Sequence, residues 1–338
     1  MSIHQSLDSL LPLQTLELDT GLSLVPRFNL NLTVYRSDAS VKPLDEWQLK
    51  RSLIDFLKAT FSLVVPEDDL HVRKFKDIKK RKREDPVARG KLFIRELSFL
   101  STSSSSKIGR EEQEKKVGEW KNMVVAKMDG IELSLAGVRF KLSVEIPQSD
   151  DFEAMRKDWE DISAFGGGDR GYSRGRKREP DTIVLRGVPS RWFAETRVSS
   201  KPSMLVTHTI FSALGKIRNL DVSEDDGMGK DTDEEDEDIV PGLQCKIVVR
   251  FEDHREFSKA LKVLCGRSLQ KQGSRLKADY EVTWDKDDLF RNARSQTEDN
   301  SRSMPKVAAG NYRSEAAGYQ SHVPRFSENN TRSKRFKE

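Results

Sequence analysis

The stretches DTIVLRGVP (residues 181–189) and LQCKIVVRFED (residues 243–253) decide the fold of this chain. Each places large apolar residues at every second position, which predicts a strand with one buried face. A helical pattern follows each of them, in PSMLVTHTIFSALGK and in HREFSKALKVLCGRSL. With IRNLDV and LKADYEVTWD as the two other strands, residues 181–285 are predicted to form an RRM-like βαββαβ domain.

The sheet of such a domain leaves one face open, on which an ordinary RRM stacks bases against aromatic side chains of its first and third strands. Here those positions hold Val184, Lys246 and Val248. A stacked base contributes about 1–3 kcal/mol, so we expect weak binding of single strands with little sequence preference. We assign phosphate contacts to lysine and arginine and limited base contact to valine on this face, which equally fits protein docking. The candidate RNA-binding residues are Val184, Arg186, Lys246, Val248 and Arg250.

Two large apolar residues follow the first of these strands, in the loop SRWFAE. Trp192 and Phe193 either anchor a protein partner or pack over the edge of the domain, because neither is cheap to leave in water. They are the candidate protein interface, although packing is the more common role of a loop aromatic.

The first half of the chain has a similar order of elements. NLNLTVY (residues 29–35) alternates as a strand, and DEWQLKRSLIDFLKATF (residues 45–61) has the apolar stripe of a helix with Asp45 as its N-cap. Residues 20–150 are predicted to form a divergent RRM-like α+β domain, and an unrelated α+β domain with the same order is the alternative. The predicted fold class is therefore α+β: two RRM-like (ferredoxin-like βαββαβ) domains in tandem with a disordered C-terminal tail.

Three polar segments complete the organisation. Residues 161–180, with GGGDRGYSRGRKREP, are predicted to be a Gly/Arg-rich linker. Residues 223–238 form an acidic insert between the second and third strands of the second domain, which competes with nucleic acid for the basic sheet, binds a basic partner or is simply solvated. Residues 291–338 are predicted to be a disordered basic tail.

The net charge of +4 hides basic and acidic blocks of opposite sign. Two clusters of lysine and arginine have the density of nuclear-import signals or phosphate-binding patches, and the alternative is a solvated loop. The candidate import residues are Lys79, Lys80, Arg81, Lys82, Arg83, Arg174, Arg176, Lys177 and Arg178.

Nothing in the sequence indicates catalysis. The two cysteines, Cys245 and Cys265, fall in a predicted strand and helix, and the five histidines lack metal-binding spacing. The GGG at residues 166–168 lacks the context of a phosphate-binding loop. We therefore expect no enzyme activity, no cofactor and no metal. No stretch approaches the roughly 20 apolar residues that span a bilayer, so we expect a soluble intracellular protein without a membrane partner.

REPDTIVLRGVPSRWFAE (residues 178–195), followed by GKIRNLDV (residues 215–222), resembles the A-kinase anchor protein 17A family, also described as arginine/serine-rich splicing factors. A weaker likeness extends over most of residues 20–285. The resemblance implies residence in the nucleus and its speckles, a role in alternative pre-mRNA splicing, and splicing-related proteins as partners. The charged C-terminal helical region that holds the kinase-anchoring helices of the family has no counterpart in this sequence. Binding of a protein kinase A regulatory subunit is therefore not expected.

The sequence thus predicts a nuclear RNA-associated adaptor linked to splicing. The alternative is a protein–protein interaction module that uses a non-standard RRM fold without binding RNA. Salt separates the two hypotheses, because RNA binding through several cations weakens steeply as salt rises.

Overall fold

In the computed structural model, the described residues are 7, 10–37, 44–75, 84–100, 110–165, 179–195, 201–225, 243–286 and 289–290, with the backbone alone at 163–165. Residues 1–287 form one compact unit and residues 288–338 a second, of which only Leu289 and Phe290 are described. The predicted disordered tail, residues 291–338, lies outside the described residues.

Strands and helices are numbered here along the described chain. The elements are β1 (Leu16–Leu18), β2 (Leu22–Pro26), β3 (Phe28–Arg36), α1 (Glu46–Phe61), β4 (Leu70–Lys74), β5 (Ala88–Ile94), α2 (Arg110–Met128), β6 (Glu132–Leu135), β7 (Val138–Glu145), α3 (Phe152–Phe165), β8 (Thr182–Pro189), α4 (Met204–Ser212), β9 (Ile217–Glu224), β10 (Gln244–Phe251), α5 (His254–Leu264), β11 (Arg267–Lys271), β12 (Lys277–Ala278) and β13 (Glu281–Trp284). The described strands pair antiparallel, and the predicted α+β class is confirmed.

The first half of the chain forms a five-stranded sheet, the first sheet, with the order β4-β5-β3-β7-β6. The apolar residues of the β3 alternation, Leu30, Leu32 and Val34, lie on one face and are buried. Helices α1 and α2 cover that face, since Leu53 and Val124 belong to the same hydrophobic cluster. The polar residues of the alternation therefore lie on the opposite face, the open face of the first sheet.

Helix α1 begins where the sequence predicts. The Asp45 carboxylate accepts hydrogen bonds from the backbone N–H groups of Trp47 at 3.0 Å and Gln48 at 3.4 Å. These N–H groups have no partner within the helix, so the aspartate satisfies donors that are otherwise left to water. The predicted N-cap is confirmed.

The second half forms a four-stranded sheet, the second sheet, with the order β13-β8-β10-β9. Ile183 and Leu185 of β8 and Ile247 of β10 face a core to which Ile210 of α4 and Phe257 of α5 also belong. The residues that alternate with them lie on the open face of the second sheet.

A third sheet, with the order β1-β2-β11-β12, joins the N-terminal hairpin to a hairpin between α5 and β13. Leu24 pairs with Leu269 across this sheet, and both belong to the core of the second sheet. Helix α3 packs on the same core through Met155 and Trp159 and extends into the segment 161–180 that was predicted to be a linker. Residues 166–178 of that segment lie outside the described residues.

Buried and partly buried ion pairs connect the two main sheets. Arg27, between β2 and β3, donates to Asp150 Oδ2 at 2.6 Å and to the carbonyl oxygen of Tyr280 at 3.1 Å. Arg95, just after β5, donates to Asp69 Oδ1 and to Asp279 Oδ2, both at 2.7 Å. Because these guanidinium groups bind carboxylates and carbonyls from both halves, they fix the two sheets relative to each other.

Candidate nucleic-acid interface

The open face of the second sheet brings together all five residues that were predicted to contact RNA. Val184 and Val248 pair directly across β8 and β10, and Arg250 pairs with Thr182. On the other side of β8, Arg186 lies opposite Glu281 of β13 in the strand register. The further members of this face on β9 and β13 are Asn219, Asp221, Ser223 and Thr283. Among the described residues of the face there is no aromatic side chain.

The two valines have little surface to offer a base. Val184 is 5% exposed and Val248 2% exposed, although both belong to the open face. The predicted limited base contact at these positions is therefore not available in this structure, because a stacked or apolar contact requires accessible side-chain area.

The cations of this face differ in their availability. Arg250 donates from Nε to Asp181 Oδ2 at 2.9 Å, and its side chain is 15% exposed, so its charge already has a carboxylate partner. Arg186 and Lys246 are half-buried and form no ion pair with another described residue. They are the two predicted phosphate-binding side chains that the structure leaves able to bind an anion.

A β-bulge sets the positions of these two cations. The register shifts so that Arg186 and Gly187 of β8 lie opposite the single residue Lys246 of β10. Gly187 has a φ of +76°, and its N–H donates to Asp225 Oδ2 at 3.0 Å. Asp225, inside the predicted acidic insert 223–238, is thus a buried structural residue, whereas residues 226–238 lie outside the described residues.

A cavity of about 170 Å³ lies where the first and second sheets meet. Its lining from the first half includes Asn29, Lys91 and Phe93, and its lining from the second includes Arg186 and Gln244. Asn29 is 5% exposed, and its Oδ1 accepts no hydrogen bond from the described protein. A buried acceptor without a donor is costly, so this atom is ready to accept from a bound group.

The electrostatics of the cavity wall are set by Arg27, Arg95 and Asp279. Burial alone would raise the pKa of Asp279, but the hydrogen bond from Arg95 and the charges of Arg27 and Arg95 outweigh burial and lower it. Both guanidinium groups also lie over the ring of Phe93, at 5.3 and 5.1 Å. The wall is therefore an ordered ionic structure at neutral pH.

The structure separates the two candidate protein-interface residues. Phe193 is fully buried, with its ring stacked on that of Phe211 at 6.3 Å and 22°. It contributes to the core and is not available to a partner, because no part of its ring reaches the surface. Trp192 packs against the same core and stays partly exposed.

The candidate nuclear-import residues have no structural description. Lys79, Lys80, Arg81, Lys82, Arg83, Arg174, Arg176, Lys177 and Arg178 all lie outside the described residues.

The described residues also bear on metal binding, cysteine reactivity and membrane crossing. Among them, no group of three or more His, Cys, Asp or Glu side chains is arranged to hold a metal ion. Burial raises the pKa of the Cys245 thiol to about 12, which makes it a poor nucleophile. No helix in the same residues is both long and apolar enough to cross a bilayer.

Sequence reasoning assigned no function to the residues on the open face of the first sheet. It used Leu30, Leu32 and Val34 to predict β3 and left Asn29, Asn31, Thr33 and Tyr35 without a role. The signal was present, since polar and aromatic residues that alternate with a buried set must share the opposite face.

Comparisons with known proteins agree with the resemblance seen in the sequence. A family model described as AKAP-17A-like, RNA-binding domain, matches residues 112–316. Human A-kinase anchor protein 17A is 32% identical over 106 residues, which cover 29% of this chain and 14% of that protein. The matched part is thus a small share of the length of the human protein.

Two solved structures align over most of the chain at 10% sequence identity. A Cas6 mutant covers 77% of this chain and 99% of its own, with a TM-score of 0.26. The alignment with a Cas6 complex with a substrate mimic covers 79% of this chain and 100% of the Cas6 chain, with a TM-score of 0.24. Scores this low carry no argument about fold or function.

Proposed function

Because this chain belongs to the AKAP-17A-like RNA-binding domain family, we propose that it binds single-stranded RNA as a nuclear adaptor linked to pre-mRNA splicing. The observation that carries the proposal is the pair of cations at the β-bulge. Arg186 and Lys246 lie within the family-matched residues, on an open sheet face, without a carboxylate partner in the described chain.

The strand orders support the finer interpretation that both halves are RRM-like. In β13-β8-β10-β9 the first and third strands of the half occupy the centre, and β7-β3-β5-β4 repeats this arrangement in the first half. Each half follows the order βαββαβ, apart from added hairpins. We therefore interpret the chain as two RRM-like domains in tandem, each with one open face.

The geometry favours weak binding with little sequence preference. Two cations contribute counterion release, which does not depend on base identity. Without an aromatic side chain among the described residues of its open face, and with Val184 and Val248 buried, the second sheet lacks the stacking contacts that select bases in an RRM.

The cellular role follows from the family. Nuclear location, including nuclear speckles, splicing-related protein partners and a part in alternative splicing are proposed by analogy with it. The role is that of a binding adaptor, and no catalytic activity is proposed. Anchoring of protein kinase A is not part of the proposal.

The second candidate function is a protein–protein interaction module without RNA binding. The absence of aromatic side chains among the described residues of the open face of the second sheet favours it. Trp192, partly exposed beside the core, would then be the first residue to test for partner contact.

The test is fluorescence anisotropy of the full chain with a pool of single-stranded RNA at two salt concentrations. The variant Arg186→Glu, Lys246→Glu should weaken binding and reduce the slope of log affinity against log salt by about 1.4, for two lost contacts on a single strand. The matched control is Lys216→Glu, Arg255→Glu, which reverses two exposed cations away from the open face. Arg255 lies in α5, which packs on the core face of the second sheet, and the backbone N–H of Lys216 donates to Glu256 of the same helix. Failure of the wild type to bind at low salt would contradict RNA binding and favour the interaction module.

A further inference from the structure

The open face of the first sheet is strongly basic. The strand register aligns Arg73, Arg89, Thr33 and Ser143 in one row across four strands, and places Tyr35 beside Lys141 in the next. The exposed cations of this face are Arg73, Arg89, Lys91, Arg139 and Lys141. Its described carboxylates are Glu132 and Glu145. Among the described residues of this face, cations therefore outnumber carboxylates, which matches a polyanion.

Aromatic rings accompany these cations, whereas the described residues of the open face of the second sheet include none. Tyr35 is half-buried on β3, and His71 is exposed on β4. The rings of His71 and Phe93 form a T-shaped pair, with their centroids 5.9 Å apart. Tyrosine and histidine are side chains on which proteins stack unpaired bases. Base stacking and phosphate attraction are thus available on the same face.

The cavity lies at the border between the two open faces. Lys91 belongs to the open face of the first sheet and Glu281 to that of the second, and their side chains form an ion pair of 2.9 Å at the junction. Lys91, Glu281 and Arg186 all line the cavity, together with the unsatisfied Oδ1 of Asn29. Its volume is below the roughly 300–1,000 Å³ of sites for drug-sized ligands, which favours a smaller group such as one nucleobase.

We propose that the open face of the first sheet is a second surface for single-stranded RNA, continuous through the cavity with the open face of the second sheet. The strand would place phosphates near Arg73 and Lys141 and stack bases on Tyr35 and His71. Asn29 Oδ1 would accept a hydrogen bond from an amino or hydroxyl group of the nucleotide held in the cavity. This inference rests on the proposed RNA binding, and it assigns a role to β3, β4 and β5, which precede the family-matched residues.

The inference predicts a dependence on RNA length. An oligonucleotide of about 4 nucleotides occupies one RRM-type sheet, which stacks two or three bases, whereas one of about 16 can span both. The full chain should therefore bind the longer RNA at least about 10-fold more tightly, because the second contact is intramolecular once the first has formed.

The test compares the variant Arg73→Glu, Lys141→Glu with the wild type on both RNA lengths. The variant should lose the length dependence and bind the 16-mer about as weakly as it binds the 4-mer. The control Lys50→Glu, Lys58→Glu makes the same charge change on α1, which covers the opposite face of the first sheet, and should retain the length dependence. Circular dichroism of each variant verifies folding.

Cross-linking with 4-thiouridine in the 16-mer gives an independent readout on the wild type. Peptides that contain Tyr35 or His71 should carry cross-linked nucleotide. A variant that binds the 16-mer like the wild type, or cross-links confined to residues 182–251, would overturn the second surface while leaving the proposed function intact. Absence of wild-type binding to either RNA would overturn both.

Discussion

Phe193 is a large hydrophobic side chain in a loop, and its surroundings explain why it stays out of water. Its ring is fully buried and stacks on Phe211 of α4. Its backbone N–H donates to the carbonyl oxygen of Ser190, and its carbonyl oxygen accepts from the N–H of Ser203. The residue therefore closes the loop that joins β8 to α4 over the core.

We expect Phe193→Ala to lower the free energy of unfolding by about 3–5 kcal/mol, the usual cost of removing a buried phenylalanine ring. Urea denaturation of the full chain measures this loss. Arg191→Ala, two residues away and exposed, is the control and should change stability by less than about 0.5 kcal/mol. A loss below about 1 kcal/mol for Phe193→Ala would mean that the ring is not a core element in solution.

At the scale of the element, the β-bulge in β8 sets the candidate RNA contacts. Gly187 adopts a φ of +76°, a region that costs other residues about 1–2 kcal/mol. The bulge lets Arg186 and Gly187 share the position opposite Lys246, and the Asp225 carboxylate binds the freed N–H. A regular strand at this point would shift Arg186 relative to Lys246.

Gly187→Ala should therefore lower both stability and RNA affinity. Gly273, between β11 and β12, has a φ of +70° with no atom near the position of an added Cβ, and provides a matched control. We expect a similar loss of about 1–2 kcal/mol in urea denaturation for both variants. In RNA titrations, only Gly187→Ala should bind more weakly, and equal affinities for the two variants would contradict a role of the bulge in binding.

The elements differ in how well the sequence predicts them. Long periodic segments such as β3, β10 and α1 are clear, because eight or more residues repeat a buried pattern. The pairing of β2 with β11 cannot be predicted in this way, since five-residue strands carry little periodicity. In addition, the paired residues Leu24 and Leu269 are separated by most of the sequence. At the site, the sequence identifies Arg186 and Lys246. It cannot show that Asp181 engages Arg250, because ion pairing depends on side-chain geometry.

At the scale of the whole molecule, a small number of buried and partly buried ion pairs connect the two halves of the chain. Asp279, between β12 and β13, binds Arg95 of the first half, and Arg27 bonds to residues from both halves. Ion pairs that are wholly or partly withdrawn from water add little net stability over apolar packing, but removing one partner is costly. Their effect here is to fix the geometry of the cavity that both open faces border.

The lowered pKa of Asp279 gives this linkage a pH dependence. A carboxyl whose pKa is lower in the folded chain stabilises it at pH values above the unfolded pKa, close to 3.8, and loses that effect as the pH falls through the folded value. We expect urea denaturation to show falling stability below about pH 4, and Asp279→Asn to be less stable than the wild type at pH 7 but to lose less on acidification. The exposed Asp68→Asn is the control and should follow the wild type. If Asp279→Asn and the wild type lost equal stability between pH 7 and pH 3, Asp279 would not be the group that couples protonation to the joining of the two halves.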